Sequence, residues 1–161
     1  MAMIRFTLST LAWAIGLSAP VAAFADSSVI GFVRDPNNHG TGVVAEYHWT
    51  GALAEGDSFS AGWAGSVLAD TNHNGFVGFG VSAEFQISGQ NFIEASFMPG
   101  YFKEGDVDLG GHMHFRSTLG IGTNITDSAA LSFAFSHISN GGLNDRNPGM
   151  DMIMLRLTHR Y

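Results

Sequence analysis

From about residue 28 onward, oily side chains alternate with polar or small ones, in segments of roughly ten residues separated by Gly, Asn, Asp and Ser clusters. Eight such segments can be marked, at 28–35, 41–50, 58–69, 75–87, 91–103, 111–124, 129–140 and 150–161. In the fourth, Val77, Phe79, Val81, Phe85 and Ile87 share one parity, and Gly78, Gly80, Ser82, Glu84 and Gln86 share the other. In the sixth, Met113, Phe115, Leu119, Ile121 and Ile125 oppose His112, His114, Arg116, Thr118 and Asn124. The second sets Val43, Tyr47 and Trp49 against Glu46 and His48. The seventh sets Leu131, Phe133 and Phe135 against Ser132, Ala134 and Ser136, and the eighth sets Ile153, Leu155 and Leu157 against Arg156, Thr158 and Arg160. A strand sends successive side chains to opposite faces, so each segment has one oily face and one polar or small face. The fold class predicted is all-β, an eight-stranded antiparallel barrel.

Alternation fits a soluble barrel, oily inside, and equally a membrane barrel, oily outside. Three features favour the membrane. The strand count is even and the segments are long enough to cross a bilayer at a tilt. The last segment ends on Tyr161 in phase with Ile153, Leu155 and Leu157, resembling the closing strand of outer-membrane barrels. The third feature is the N-terminus: Arg5, then an apolar stretch from Leu8 to Ala23, then Ala23-Phe24-Ala25. That is the three-part pattern of a secretory signal peptide, which places residues 1–25 outside the domain and residues 26–161 within it. A membrane anchor is the alternative, but the apolar stretch is short and broken by Ser18 and Pro20.

Composition agrees with export to a membrane. Only 13% of residues are charged and 21 are glycine, so water is not the partner of much of the surface. The net charge is −7, and −8 once Arg5 is gone, which disfavours nucleic acid as a partner because no basic patch is present to neutralise phosphates. There is no cysteine, hence no lipoprotein anchor, disulfide or thiolate metal site. An eight-stranded lumen is filled by side chains, so Glu46, Glu84, Glu94, Arg116 and Arg156 are expected to pair there, in a layer with His48, His112 and His114. The spacing of His112 and His114 allows a metal pair, but interior histidines held by hydrogen bonds are the simpler reading. Glu104, Asp106 and Asp108 read as a solvated acidic loop, with a cation bridge to lipid phosphates as the alternative. Met150, Met152 and Met154 read as packing.

The oily face of the seventh segment turns polar near its end, with His137 and Ser139 following Leu131, Phe133 and Phe135. The eighth does the same at the same end, where Asp151 precedes Ile153. With both chain ends periplasmic, the 140–150 connection is extracellular, and these three groups sit where the outer leaflet meets water. His and Ser two apart on a strand point the same way, with Cα atoms about 6.6 Å apart. An imidazole there can take the serine proton, and a carboxylate on the neighbouring strand can hold the other ring nitrogen. Asn140, Gly141 and Gly142 follow at once and offer N–H donors for an oxyanion. A polar girdle with a Gly/Asn turn is the rival explanation.

The stretch His137-Ile138-Ser139-Asn140-Gly141-Gly142-Leu143, with Asn147-Pro148-Gly149 and Asp151, resembles the signature of the lipid A 3-O-deacylase family. Glu94 to Phe102, Glu104, Gly105 and Phe115-Arg116-Ser117 are also similar to its members. The resemblance implies an outer-membrane esterase that removes the ester-linked 3-hydroxyacyl chain at position 3 of lipid A without metal or cofactor. It casts Ser139 as nucleophile, His137 as base and Asp151 as the acidic member, with Asn140, Gly141 and Gly142 around the oxyanion. The partners it implies are lipopolysaccharide and outer-membrane lipid, with a homodimer left open. Relatives usually carry Glu at the position of Asp151, one methylene longer, which would leave the histidine less well held. The competing function is a non-catalytic structural or adhesive barrel descended from the same family.

Overall fold

A computed structural model describes residues 26–37 and 40–161, so the expected signal peptide at 1–25 lies outside the described residues. Eight strands follow one another: β1 (Ser27–Arg34), β2 (Thr41–Gly56), β3 (Phe59–Asp70), β4 (Gly75–Ser88), β5 (Asn91–Lys103), β6 (Met113–Asn124), β7 (Ala129–Ser139) and β8 (Met150–Arg160). Each pairs antiparallel with its sequence neighbour, and β1 pairs with β8 from Ser27↔Arg160 to Arg34↔Ile153, closing the barrel. Closure leaves no strand edge unpaired, the condition for a sheet to sit in lipid.

The apolar parity faces outward. Ile30, Phe32, Val77, Phe79, Leu119, Ile121, Phe133, Phe135, Leu155 and Leu157 are all exposed, Phe32 at 74%. The polar parity is inside, which excludes the soluble alternative. Connections at the end that carries both chain termini are short, such as Asp57–Ser58 and Gly89–Gln90. Those at the opposite end include the longer segments 104–112 and 140–149. Short turns on the periplasmic side and longer loops outside are the usual asymmetry of such barrels.

The lumen has two storeys. Below lies an ion network: Arg116 Nη1 donates to Glu46 Oε1 at 2.6 Å and to Ser66 Oγ at 2.7 Å. Arg156 bridges Glu46 Oε2 at 2.6 Å and Glu94 Oε1 at 2.7 Å, and Arg160 donates to both Glu84 oxygens. Each charge of this network thereby has an opposite partner, without which the interior would be prohibitively costly. Above it, toward the long loops, Val33, Val44, Leu68, Phe76, Phe102, Leu109, Ile138, Met150, Met152 and Met154 form an apolar plug. The three methionines are therefore packing.

Two expectations need correction. The second strand runs to Gly56 rather than residue 50: a bulge between Trp49 and Ala54 absorbs the irregular stretch, and Ala54, Glu55 and Gly56 then pair with Ala61, Ser60 and Phe59. His112 is not in the lumen. It precedes β6, is exposed, and stacks on Tyr101 at 5.0 Å. His48 and His114 do point inward, His48 onto Glu46 at 2.9 Å and His114 toward the Leu109 carbonyl at 3.4 Å.

Candidate active site

Register fixes the centre of the site. Pairing of β7 with β8 sets His137 directly across from Asp151, and pairing of β6 with β7 sets Ser117 across from His137 and Phe115 across from Ser139. One outward row on the wall is thus Ser117, His137, Asp151, and the next row toward the rim holds Phe115 and Ser139. His137 and Asp151 are both half-buried, and His137 Nδ1 lies 2.7 Å from Asp151 Oδ1. A carboxylate on Nδ1 selects the tautomer that leaves Nε2 unprotonated, the form a general base needs. Aspartate reaches the ring without the extra methylene because the two residues are cross-strand partners.

Ser139 ends β7 and keeps the outward parity, half-buried. Among the described residues its hydroxyl has no hydrogen-bond partner, His137 included. The imidazole leans over Gly149, one step past the Ile138↔Met150 pair and so across from Ser139. A Cβ on Gly149 would lie 2.7 Å from His137 Cε1 and 3.3 Å from Nε2, so glycine keeps this space open. The reactive nitrogen and the hydroxyl flank the same small area of wall.

The loop after Ser139 differs from expectation. Of the expected oxyanion group Asn140, Gly141 and Gly142, the N–H groups of Asn140 and Gly142 are already used. The Asn140 side chain is fully buried, pointing inward, and its Nδ2 donates to the carbonyls of Leu109, Gly110 and Arg146 at 3.2, 3.0 and 2.7 Å. Its Oδ1 accepts from Gly142 N at 2.9 Å, and its own N–H donates to Asn147 Oδ1 at 3.0 Å. The parity rule explains this: Asn140 follows outward Ser139 and must face in. Gly141, at φ +64°, keeps a backbone N–H without a partner among the described residues. The Nδ2 of Asn147, an exposed residue whose Oδ1 is tied beside Ser139, likewise has no partner among the described residues. Asn147 is the group sequence reasoning passed over, although it stood inside the quoted Asn147-Pro148-Gly149 stretch.

A strap of loop residues 104–112 holds this arrangement. Besides the Asn140 bonds, Asn144 Nδ2 donates to Gly110 O at 2.7 Å and Arg146 pairs with Asp108 at 3.0 Å. Gly110, at φ +80°, lies so close to the Arg146 carbonyl that a Cβ would come within 2.0 Å of it. Glu104 accepts from Gly111 N, and Asp106 faces His73. The acidic loop is thus occupied with its own contacts, and no cluster of three metal-ligating side chains occurs among the described residues.

Fold and site together define an outer-membrane-type β-barrel with a histidine–carboxylate pair and a serine on its lipid-facing rim. The chain belongs to the lipid A 3-O-deacylase (PagL) family, whose model matches residues 38–160. It is similar to the lipid A deacylase PagL of Bordetella bronchiseptica, 32% identical over 56 residues. That match spans 35% of this chain and 32% of the relative, about a third of each. Among solved structures it is similar to the outer membrane enzyme PagL, with a TM-score of 0.70 at 19% identity, covering 85% of this chain and all of that one. A designed transmembrane β-barrel superimposes with a TM-score of 0.60 at 8% identity, over 89% of this chain and all of the design. At such identities both likenesses speak for the fold alone.

Proposed function

We propose that this barrel is a serine esterase that removes the 3-O-linked hydroxyacyl chain of lipid A, working sideways into the outer leaflet. The reading rests above all on the 2.7 Å bond between His137 Nδ1 and Asp151 Oδ1 on the outer wall, beside Ser139. A buried ion pair would be explained by folding, but here the imidazole is placed outside the core with its second nitrogen unused.

In this mechanism His137 Nε2 takes the Ser139 proton as Oγ attacks the ester carbonyl. Asp151 stabilises the imidazolium that forms. The tetrahedral oxyanion is met by the Gly141 N–H and the Asn147 Nδ2, fixed donors at a partly dehydrated interface. Collapse breaks the bond to the sugar oxygen, which leaves with the imidazolium proton. Water, deprotonated by His137, then releases the acyl group as the free 3-hydroxy acid and restores Ser139. Residues of this chain suffice for each proton transfer.

Mass spectrometry of lipid A from cells expressing the chain tests the reading. Loss of one 3-hydroxyacyl group with the wild type, and none with Ser139→Ala, is expected. Identical acylation in both, with each barrel folded, would leave the non-catalytic structural barrel as the function. The unbonded Ser139 hydroxyl is the observation that favours this second reading.

A further inference from the structure

We propose that Arg34 is a phosphate-binding residue on the outer wall, which takes a phosphate of the substrate's sugar headgroup and thereby sets the ester beside Ser139. The proposal rests on the esterase reading above and gives that site a preference for phosphorylated glycolipid. Arg34 ends β1 at the outward parity, after Ile30 and Phe32, and is exposed. A charge on the lipid face is costly unless it reaches the interface or a counter-ion. Among the described residues its guanidinium has no hydrogen bond or ion pair. The other cations after residue 25 are engaged: Arg116, Arg156 and Arg160 in the lumen, Arg146 on Asp108, and Lys103 on the His73 carbonyl at 3.1 Å.

Register sets Arg34 at the height of the site. One outward row of pairs runs from Trp49 through Trp63, Phe97 and Ser117 to His137 and Asp151. It begins beside the Ser27↔His48 pair, at the end with the chain termini, and finishes at the loop end. Paired rows therefore climb toward the loops on passing from β2 to β8. With strands tilted about 40° and roughly 4.8 Å apart, the climb is about 3 Å per strand. Arg34 pairs with Ile153, and Ile153 pairs with Phe135, the outward residue before His137 on β7. Passing from β7 through β8 to β1 gains about 6 Å, which offsets the height of roughly 5 Å between Phe135 and His137. Arg34 is thus level with His137, about 11 Å away along the wall. Only β8 lies between them.

The chemistry of the partner follows from the cation. A guanidinium meets a phosphate with two parallel N–H donors, a fit that an ammonium lacks. Asp151, the carboxylate nearest to it on the wall, is held by His137 and forms no ion pair with Arg34. The counter-ion must then come from the membrane, whose headgroups lie at this height. A sugar that bears a phosphate and the scissile ester on one ring can bridge β8, with the phosphate toward the long arginine side chain and the ester toward Ser139. Holding the ring at a second point leaves it one orientation, so the carbonyl arrives aligned with the hydroxyl.

The test uses the full barrel in neutral detergent micelles with two substrates. One is a glucosamine carrying two 3-hydroxytetradecanoyl chains and an anomeric phosphate; the other is the same compound without the phosphate. Wild type cleaves the phosphorylated form with the higher kcat/KM. Arg34→Gln lowers that preference about tenfold, the scale of a hydrogen bond to a charged group. Arg34→Lys keeps the charge but not the fork and retains part of the preference. Lys103→Gln removes a different rim cation and leaves the preference as in wild type. No preference in wild type, or the same preference after Arg34→Gln, overturns the proposal. So does an equal drop with Lys103→Gln, which would mark a general attraction of anions to the barrel.

A second arm does not depend on turnover. Ser139→Ala protein is released from micelles in a mass spectrometer with both glycolipids and phosphatidylglycerol present in equal amounts, and the retained lipid is weighed. Retention of the phosphorylated glycolipid above the other two is expected, with the excess gone when Arg34→Gln is added. Phosphatidylglycerol retained equally well would identify the phosphate of any neighbouring lipid and overturn the proposal. A wild type inert toward both glycolipids, with retention still lost on Arg34→Gln, would overturn the esterase reading and leave the phosphate site standing.

Discussion

The imidazole of His137 occupies the space that a side chain on Gly149 would fill, with Cε1 only 2.7 Å from where a Cβ would stand. Gly149 also lies at φ +71°, which L side chains rarely adopt. Gly149→Ala is expected to displace the ring and lower kcat by about a hundredfold, the penalty typical of a misplacement near 1 Å. The barrel should still resist unfolding in micelles until near the wild-type temperature. Esterase assays and thermal melts on one preparation check both halves.

Removing the acid from the His137–Asp151 pair tests the triad more directly. Asp151→Asn preserves the shape but favours the wrong tautomer, so kcat should fall by about 10⁴-fold, the loss this exchange causes in a serine-protease triad. Asp151→Glu should not raise activity, because the aspartate already reaches Nδ1 at 2.7 Å. A large gain with glutamate would show that the shorter side chain handicaps the protein.

Asn140→Ala strips partners from the carbonyls of Leu109, Gly110 and Arg146 and from the Gly142 N–H. The Gly110 carbonyl keeps Asn144 and the Leu109 carbonyl keeps His114, while Arg146 and Gly142 are exposed to water, so a loss of about 1–3 kcal/mol is expected. The strap 104–112 and the loop 140–149 should then become accessible together. Limited proteolysis of intact cells reads this as a new cut in one of the two loops, where the wild type is resistant.

Glu46→Gln disturbs the lumen and not the site. Glu46 accepts from both Arg116 and Arg156, so the substitution takes the charge from two buried ion pairs at once. Breaking a buried pair costs about 3–5 kcal/mol, which urea unfolding in micelles would register as a lower midpoint. Activity per folded molecule should be unchanged.

The barrel was legible in the sequence because parity is a local property that lipid makes extreme: Phe133 and Phe135 outside, Ser132 and Ser136 inside. Parity likewise put His137, Ser139 and Asp151 on one face. What it did not disclose were relationships that depend on loops. The bond from Asn140 to Leu109 joins residues 31 apart, and no periodicity specifies it. The same alternation that turned Ser139 outward turned Asn140 inward, yet attention to its chemistry suggested an oxyanion donor. His112 was misplaced for a related reason, since the strand begins one residue later and the parity of its neighbours does not extend to it.

The apolar storey of Met150, Met152, Met154, Leu109 and their neighbours has a physiological consequence. It stoppers the cylinder from the side facing the surroundings, so neither ions nor antibiotics have a passage through the protein. A bacterium can then fill its outer membrane with these molecules without surrendering the permeability barrier that membrane provides.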